Sequence, residues 1–344
     1  QAGRQSAKDM NRIVTRAATI GANNPITSGA LSLLERGDAG QGEFLRVLTY
    51  HRVDDPAARP WLYPRIMVTP EAFEEQMHFL ADNYRVLGVP ELIELWEKGG
   101  SLPPRAVLVT FDDAYRDFAE YAWPILKRYQ LPATLFVPTA FPDHPERSFW
   151  WDRLYQAVTF TSCRTSLDTP MGQVPLRTAD ERKEAFSRLR DYTKSLPHAE
   201  AMAWVAEACD ELGAAPQASA VLGWNELRKL AKEGVTLGAH TQTHPLLNRI
   251  TPEQVRAEAA GSLSDLQREI GDVLPILAYP SRGFNADVVT IVQEAGIRVA
   301  FTTDTGLNDW RQLDALRLRR INVGWRTPLS AIRARLLSWA RYAN

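Results

Sequence analysis

Two kinds of apolar pattern alternate along most of this chain. Short, nearly continuous apolar runs (LRVLTY, AVLVTF, ATLFV, VTLGA, PILA, VAFTT) each give way to a longer stretch in which apolar residues return every three or four positions. The first kind suits a strand buried on both faces and the second an amphipathic helix. In VTPEAFEEQMHFLADN, Thr69 takes the N-cap, Pro70 the first helical position, and Phe73, Met77 and Leu80 one face. Thr251 and Gln254 have capping-box spacing ahead of a helix with Val255, Ala259, Leu263, Leu266 and Ile270 on one stripe. Phe118, Ala122, Ile125, Leu126 and Tyr129 mark another helix, LRLRRINV a further strand, and TPLSAIRARLLSWARY a closing helix. Alternating strands and helices predict a parallel sheet with both faces covered, open or closed into a barrel.

The alternation is interrupted twice. Residues 1–43 read as a helical leader, with NRIVTRAATI and SGALSLLERG separated by the breaker NNP and followed by a linker-like GDAGQGEF. Between about residues 141 and 221 the segments SFWWDRLYQAV, ERKEAFSRLRDYTKSL and AEAMAWVAEACDELG are all helical in period. The expected organisation is a leader over 1–43 and one βα unit over 44–344, with a helical insertion at about 141–221 rather than a separate domain.

Composition narrows the function classes. Of 344 residues, 45% are hydrophobic and 24% charged, the range of a globular protein. Lys and Arg (40) balance Asp and Glu (41), so no positive excess draws in a phosphate backbone and nucleic acid is not an expected partner. Cys163 and Cys209 make neither a disulfide framework nor a zinc-ligand spacing. No stretch has the length of a membrane span, and no signal-peptide-like apolar run stands near Gln1. The pattern predicts no transmembrane segment and leaves compartment, cytoplasm or cell envelope, and oligomeric state open.

The candidate chemistry sits at strand ends. Asp112-Asp113 follows VLVTF, His240-Thr241-Gln242-Thr243-His244 follows VTLGA, Tyr279-Pro280-Ser281-Arg282 follows PILA, and Asp304 follows VAFTT. In parallel α/β folds the C-terminal strand ends gather at one face, where sites form. Adjacent carboxylates cost roughly 1 kcal/mol of repulsion even in water, which a cation offsets. His240 and His244 plus one carboxylate make a two-histidine, one-carboxylate set that leaves coordination positions open for water and substrate. A divalent ion there acidifies a water and polarises a carbonyl, while the second aspartate takes a proton as general base. Strand alternation aims Asp112 and Asp113 oppositely unless the chain turns there, and spacing does not assign which does which. Each piece has a plainer reading: HxxxH commonly binds nothing, Asp-Asp at a strand end commonly caps the next helix, and Trp150, Trp151, Trp310 and Trp325 more often pack than stack on sugars.

Taken together, FDD, HTQTH, the Tyr-Pro pair and the opening Tyr50-His51-Arg52-Val53 resemble the polysaccharide deacetylases of carbohydrate esterase family four, the NodB-like domain, in a branch from exopolysaccharide and capsule clusters. The similarity spans roughly residues 45–323. It implies a distorted (β/α) barrel of about seven strands and hydrolysis of an N-acetyl, sometimes O-acetyl, group on an acetylated carbohydrate. It also implies a divalent metal, zinc first, with cobalt, nickel and iron accepted by the same donors. By position it implies Asp112 as general base, Asp113, His240 and His244 as metal ligands, and Thr241 as the hydroxyl between the histidines. Tyr279, Pro280, Ser281 and Asp304 fall on the substrate and oxyanion side. Three positions depart from the family pattern. Ala114 replaces a glycine; the arginine of the third motif is missing, with Arg282 near enough to substitute; and Arg320 stands where many members have a histidine acid. An arginine cannot donate a proton at neutral pH, though it can stabilise an oxyanion or hold a carboxylate, so the general acid is left open, with His51 as a stand-in. Two other functions compete: a non-catalytic sugar-binding relative, and a hydrolase of another amide, such as a cyclic ureide or imide, on the same barrel.

Overall fold

The computed structural model describes residues 25–38, 43–162, 164–214 and 220–338. The NRIVTRAATI segment of the expected leader and Cys163 lie outside them. Helix α1 (Pro25–Asp38) precedes strand β1 (Phe44–Tyr50), and a short parallel pair follows, β2 (Arg52–Val53) with β3 (Met67–Val68). Next come α2 (Pro70–Asn83), β4 (Arg85–Val86), α3 (Val89–Glu97) and β5 (Ala106–Phe111). A π turn (Phe118–Ala122) leads into α4 (Trp123–Arg128) and then β6 (Thr134–Val137). After the segment that follows β6, the alternation resumes with α8 (Trp224–Lys232), β9 (Thr236–Ala239), α9 (Pro252–Ile270), β10 (Ile276–Ala278), α10 (Ala286–Glu294), β11 (Val299–Thr305), β12 (Asn308–Asp309), β13 (Leu318–Asn322) and α11 (Leu329–Leu336).

Seven strands, in the order β1-β5-β6-β9-β10-β11-β13 and back to β1, pair in parallel and close a barrel, with β4 added outside β5 and β12 antiparallel on β1. The expected distorted (β/α) barrel of about seven strands is therefore the fold. Its interior follows from strand parity. Leu45, Val47, Ala106, Leu108, Phe136, Ile276, Ala278, Val299, Phe301 and Leu318 form one apolar cluster, while Leu48, Tyr50, Val107, Val109 and Phe111 face the helices. Phe136 and Phe301 meet across the interior at 5.1 Å between ring centroids. Gly238 is fixed by this packing, since a Cβ there would stand 2.7 Å from the Phe136 ring. Continuing the inward parity toward the C-terminal ends gives Thr49, Thr110, Asp112, His240 and Arg320, all buried. The barrel thus changes from apolar to polar toward the end at which its strands finish.

Local signals place the helices as read. Thr69 Oγ1 accepts from Ala72 N at 3.3 Å at the start of α2. Thr251 and Gln254 exchange bonds of 2.9 and 3.3 Å at the start of α9. Helix α1 docks on the closing helix: Leu31 packs on Ala334, the Glu35 carboxylate accepts from Arg333, and Asp38 accepts from Arg46 and Ser338 N. Between β6 and β9 lie α5 (Trp150–Phe160), α6 (Ala179–Ser195) and α7 (His198–Glu211), around a core of their own that includes Leu154, Val158, Phe186, Leu189 and Val205. The same segment contains an antiparallel hairpin, β7 (Ser166–Thr169) with β8 (Gly172–Pro175), that helical periodicity did not announce. Among the described residues no helix is long and apolar enough to cross a membrane.

Candidate active site

At the C-terminal end of β5, Asp112 keeps the inward parity of Thr110. Asp113 and Ala114 then turn into the left-handed region, at φ 72° and 49°. That turn brings two adjacent carboxylates to one site, which a continuing strand could not do. Thr241 (φ 63°), His244 (φ 59°) and Ser281 (φ 51°) adopt the same conformation in the loops after β9 and β10. Such backbone costs about 1–3 kcal/mol per non-glycine residue and collects where side chains are aimed for function.

His240, His244 and Asp113 are buried together, with their nearest donor atoms all within 4.8 Å of one another. Asp113 Oδ1 is 3.4 Å from Nε2 of each histidine. His240 Nδ1 lies 2.8 Å from Ala278 O, which can only accept, so Nδ1 carries a proton and Nε2 faces Asp113. The Thr241 hydroxyl accepts from His244 N at 3.0 Å and shapes the loop between the two rings. Burial, with His240 beside it, holds the His244 imidazole down at about 3, so that ring is neutral. Burial disfavours charge on His240 as well, yet Asp112 and Asp113 raise it above the ordinary histidine range. The pocket therefore attracts positive charge. Asp113 Oδ1 has no hydrogen-bond partner among the described residues, and it converges with Nε2 of both histidines. Buried acceptors meeting in this way fit a cation between them, and this triad could hold a metal ion.

Asp112 is held differently. Arg320, on β13, donates from both terminal nitrogens to its two oxygens, at 2.8 and 2.7 Å, and from Nε to Thr302 O at 2.6 Å. Burial pushes the Asp112 carboxyl up, but Arg320 and His240 more than reverse this and keep it well below the carboxylate range. His51, on the bend between β1 and β2, places Nε2 4.0 Å from Asp112 Oδ2 and keeps 22% of its side chain exposed. Arg320 thus takes the pairing that the sequence offered to Arg282. The Arg282 side chain is 77% exposed, and among the described residues its ion-pair partner is Asp304 at 3.9 Å, itself 44% exposed. No hydrogen bond or ion pair joins either residue to the cluster among the described residues. Parity explains the exchange: position 320 points into the barrel, while 282 falls on an outer turn.

Tyr279 and Pro280 are buried. The Tyr279 ring stacks on Phe284 at 5.0 Å, and its hydroxyl, without a partner among the described residues, is raised by burial. Ser281 is pinned by Thr303, whose hydroxyl donates to Ser281 O at 2.6 Å. Trp151 packs edge-on against His244 at 4.8 Å and donates to Tyr115 Oη at 3.0 Å, so it walls the cluster from the inserted segment. Trp310 packs near the opposite barrel end, donating to Gly100 O, and Trp325 is 43% exposed.

A second polar group lies behind this wall. Arg52 donates to Asp117 at 3.1 Å and to Asp152 of α5 at 2.9 Å, and lies over the Tyr115 ring at 3.5 Å. Tyr115 also donates to Asp152 at 3.1 Å. Arg52 stood in the YHRV run, but nothing in sequence paired it with Asp152, 100 positions away.

The class the fold defines is a parallel (β/α) barrel that gathers two histidines and a carboxylate, a set that could hold a metal ion, at the end where its strands finish. The sequence pattern of the polysaccharide deacetylases matches residues 99–300, and the chain belongs to that family. It is 21% identical over 263 residues to the putative polysaccharide deacetylase YxkH of Bacillus subtilis (strain 168), covering 76% of this chain and 65% of that one. It is 34% identical over 100 residues to the poly-β-1,6-N-acetyl-D-glucosamine N-deacetylase of Escherichia coli (strain K12), covering 28% of this chain and 14% of that one. The chain thus spans less than two thirds of the length of either relative. The Streptococcus pyogenes deacetylase PplD, solved in complex with acetate, shares the fold with a TM-score of 0.55 at 20% identity, over 85% of this chain and 97% of that one.

Proposed function

We propose that the chain is a metal-dependent deacetylase that hydrolyses the acetamido group of an amino sugar in a surface polysaccharide or its precursor, with zinc as its ion. The observation that carries this reading is the meeting of Asp113, His240 and His244 beside a second carboxylate that Arg320 keeps ionised. Similarity to a protein named as an N-deacetylase of an N-acetylglucosamine polymer supports the substrate class.

Asp113, His240 and His244 would hold the ion. A divalent cation there supplies Lewis acidity, polarising the acetyl carbonyl and easing ionisation of water. Asp112 accepts the proton of the attacking water. Arg320 occupies one lone pair on each of its oxygens and leaves another free. Arg320 positions this base and cannot act as an acid. The Ser281 turn presents backbone N–H to the acetyl oxygen as it gains charge. His51, beside Asp112, relays the proton that Asp112 has taken from the water to the departing amine.

The test is acetate release from N-acetylglucosamine oligomers by zinc-loaded chain. Asp112→Asn should lower turnover by about 10²–10⁴ fold while zinc stays bound. Undiminished turnover in that variant would overturn the assignment.

A further inference from the structure

The segment between β6 and β9 does more than cover the barrel. The last turn of α6 points Lys194 at the strand ends, and its Nζ donates to Ser281 Oγ at 3.3 Å. Ser281 is in turn fixed against the metal-site loop. Asn248 N donates to Gly283 O at 3.1 Å, and a Cβ on Gly283 would stand 2.7 Å from Leu246 Cα, so the turn and the His244 loop are packed face to face. Lys194, Ser281 and His244 consequently line one cavity, together with Arg249 and His198. No aspartate or glutamate lines it.

Lys194 is only partly exposed, and among the described residues no carboxylate comes within ion-pair distance of it. Burial, then Arg190, lower its pKa. Asp191 opposes them, Arg65 acts in the same direction as Arg190, and Asp113 opposes them more weakly. A mostly desolvated ammonium bonded to one hydroxyl is costly unless an anion arrives. The anions this chemistry creates are the tetrahedral oxyanion and the acetate product.

Resting on the deacetylase reading above, we propose that Lys194 is a catalytic residue: its ammonium faces the negative charge that develops on the acetyl oxygen beside Ser281, then holds the acetate product, so that the inserted helices complete the oxyanion site. The barrel brings the cation ligands and the base, and the insertion brings the counter-charge.

The experiment compares zinc-loaded wild type, Lys194→Met and Lys194→Arg. It measures acetate affinity by calorimetry, and kcat and KM on uncharged N-acetylglucosamine oligomers. Lys194→Met should weaken acetate binding at least about tenfold and lower kcat about 10²–10³ fold with KM nearly unchanged, the size seen when one oxyanion donor is lost. Zinc content should be unaltered, and Lys194→Arg should recover part of both losses. Wild-type turnover with acetate binding independent of Lys194 would overturn this inference alone. So would a rise in KM at constant kcat, which would make the lysine a reader of the sugar. Wild-type chain without any turnover would overturn the functional reading and, with it, the catalytic role. Should Lys194→Met unfold, the arginine variant and Ser281→Ala carry the same comparison.

Discussion

Arg52 and Arg320 are buried to 2% and 0% exposure, both close to the candidate site, yet they face different numbers of charges. Arg320 meets one carboxylate with two parallel bonds, and Asp112 is left ionised far below the ordinary range. Arg52 is shared between Asp117 and Asp152, with its own Nε and Asp152 Oδ1 lacking partners among the described residues. One cation cannot satisfy two buried carboxylates. Burial outweighs Arg52 at both, lifting Asp152 and pushing Asp117 up to about 7. The contrast separates two uses of the same pair of residue types. The one-to-one pair fixes a charge for chemistry. The one-to-two group ties the barrel's opening strand region to helix α5, at the expense of one carboxylate's ionisation.

The largest break in that comparison is Arg320→Met against Arg52→Met. Removing either cation leaves a buried carboxylate uncompensated, so each should cost about 3–5 kcal/mol by denaturant unfolding. Only Arg320→Met should also remove turnover in the fraction that stays folded, because Asp112 loses its orientation and its charge. Arg52→Met should keep both zinc and measurable turnover.

Next in size is Asp152→Asn, which cuts the link to α5 while leaving Arg52 bonded to Asp117. Stability should fall by about 1–3 kcal/mol. Because Trp151 is the neighbour that packs on His244, kcat/KM should drop several-fold with zinc retained.

A smaller effect is read in pH. Asp117, raised to about 7, keeps a proton in the folded chain that the unfolded chain has lost, so stability falls as pH rises from about 4 to about 7. Asp112 has the opposite sign: its depressed pKa contributes stability that is complete above the unfolded value, and lost only as pH drops through the folded one. Asp117→Asn should therefore flatten the decline between pH 5 and 8 by about 1–3 kcal/mol, measured as the difference in unfolding free energy. An unchanged slope would show that Arg52 already satisfies both carboxylates.

The smallest effect is Arg282→Ala. An exposed side chain whose partner is also exposed should shift stability by less than about 0.5 kcal/mol, with kcat/KM within twofold of wild type.

The two arginines also mark how far the sequence could be read. Strand parity and strand-end position made the fold and the gathering of Asp112, Asp113, His240 and His244 legible, because both are local properties of β5 and β9. The sequence offered both Arg282 and Arg320, the latter as able to hold a carboxylate, but not the partner. That Arg320 meets Asp112 depends on barrel closure, which brings β13 and β5 together on either side of β1. Asp152 and Lys194 were silent for a stronger reason. They sit on helices whose periodicity describes their own small core, and their approach to Arg52 and Ser281 is fixed by how that core docks. The left-handed turn at Asp113 and Ala114 answers the alternation problem, but no glycine announced it.

The central claim is that Asp113, His240 and His244 form a metal centre, and elemental analysis with zinc titration of the purified chain tests it most directly. Wild-type chain should bind about one zinc per molecule, and Asp113→Ala and His240→Ala should lose it while Arg52→Met keeps it. Zinc retained at full occupancy by His240→Ala, or absent from wild type at high micromolar metal, would contradict the account.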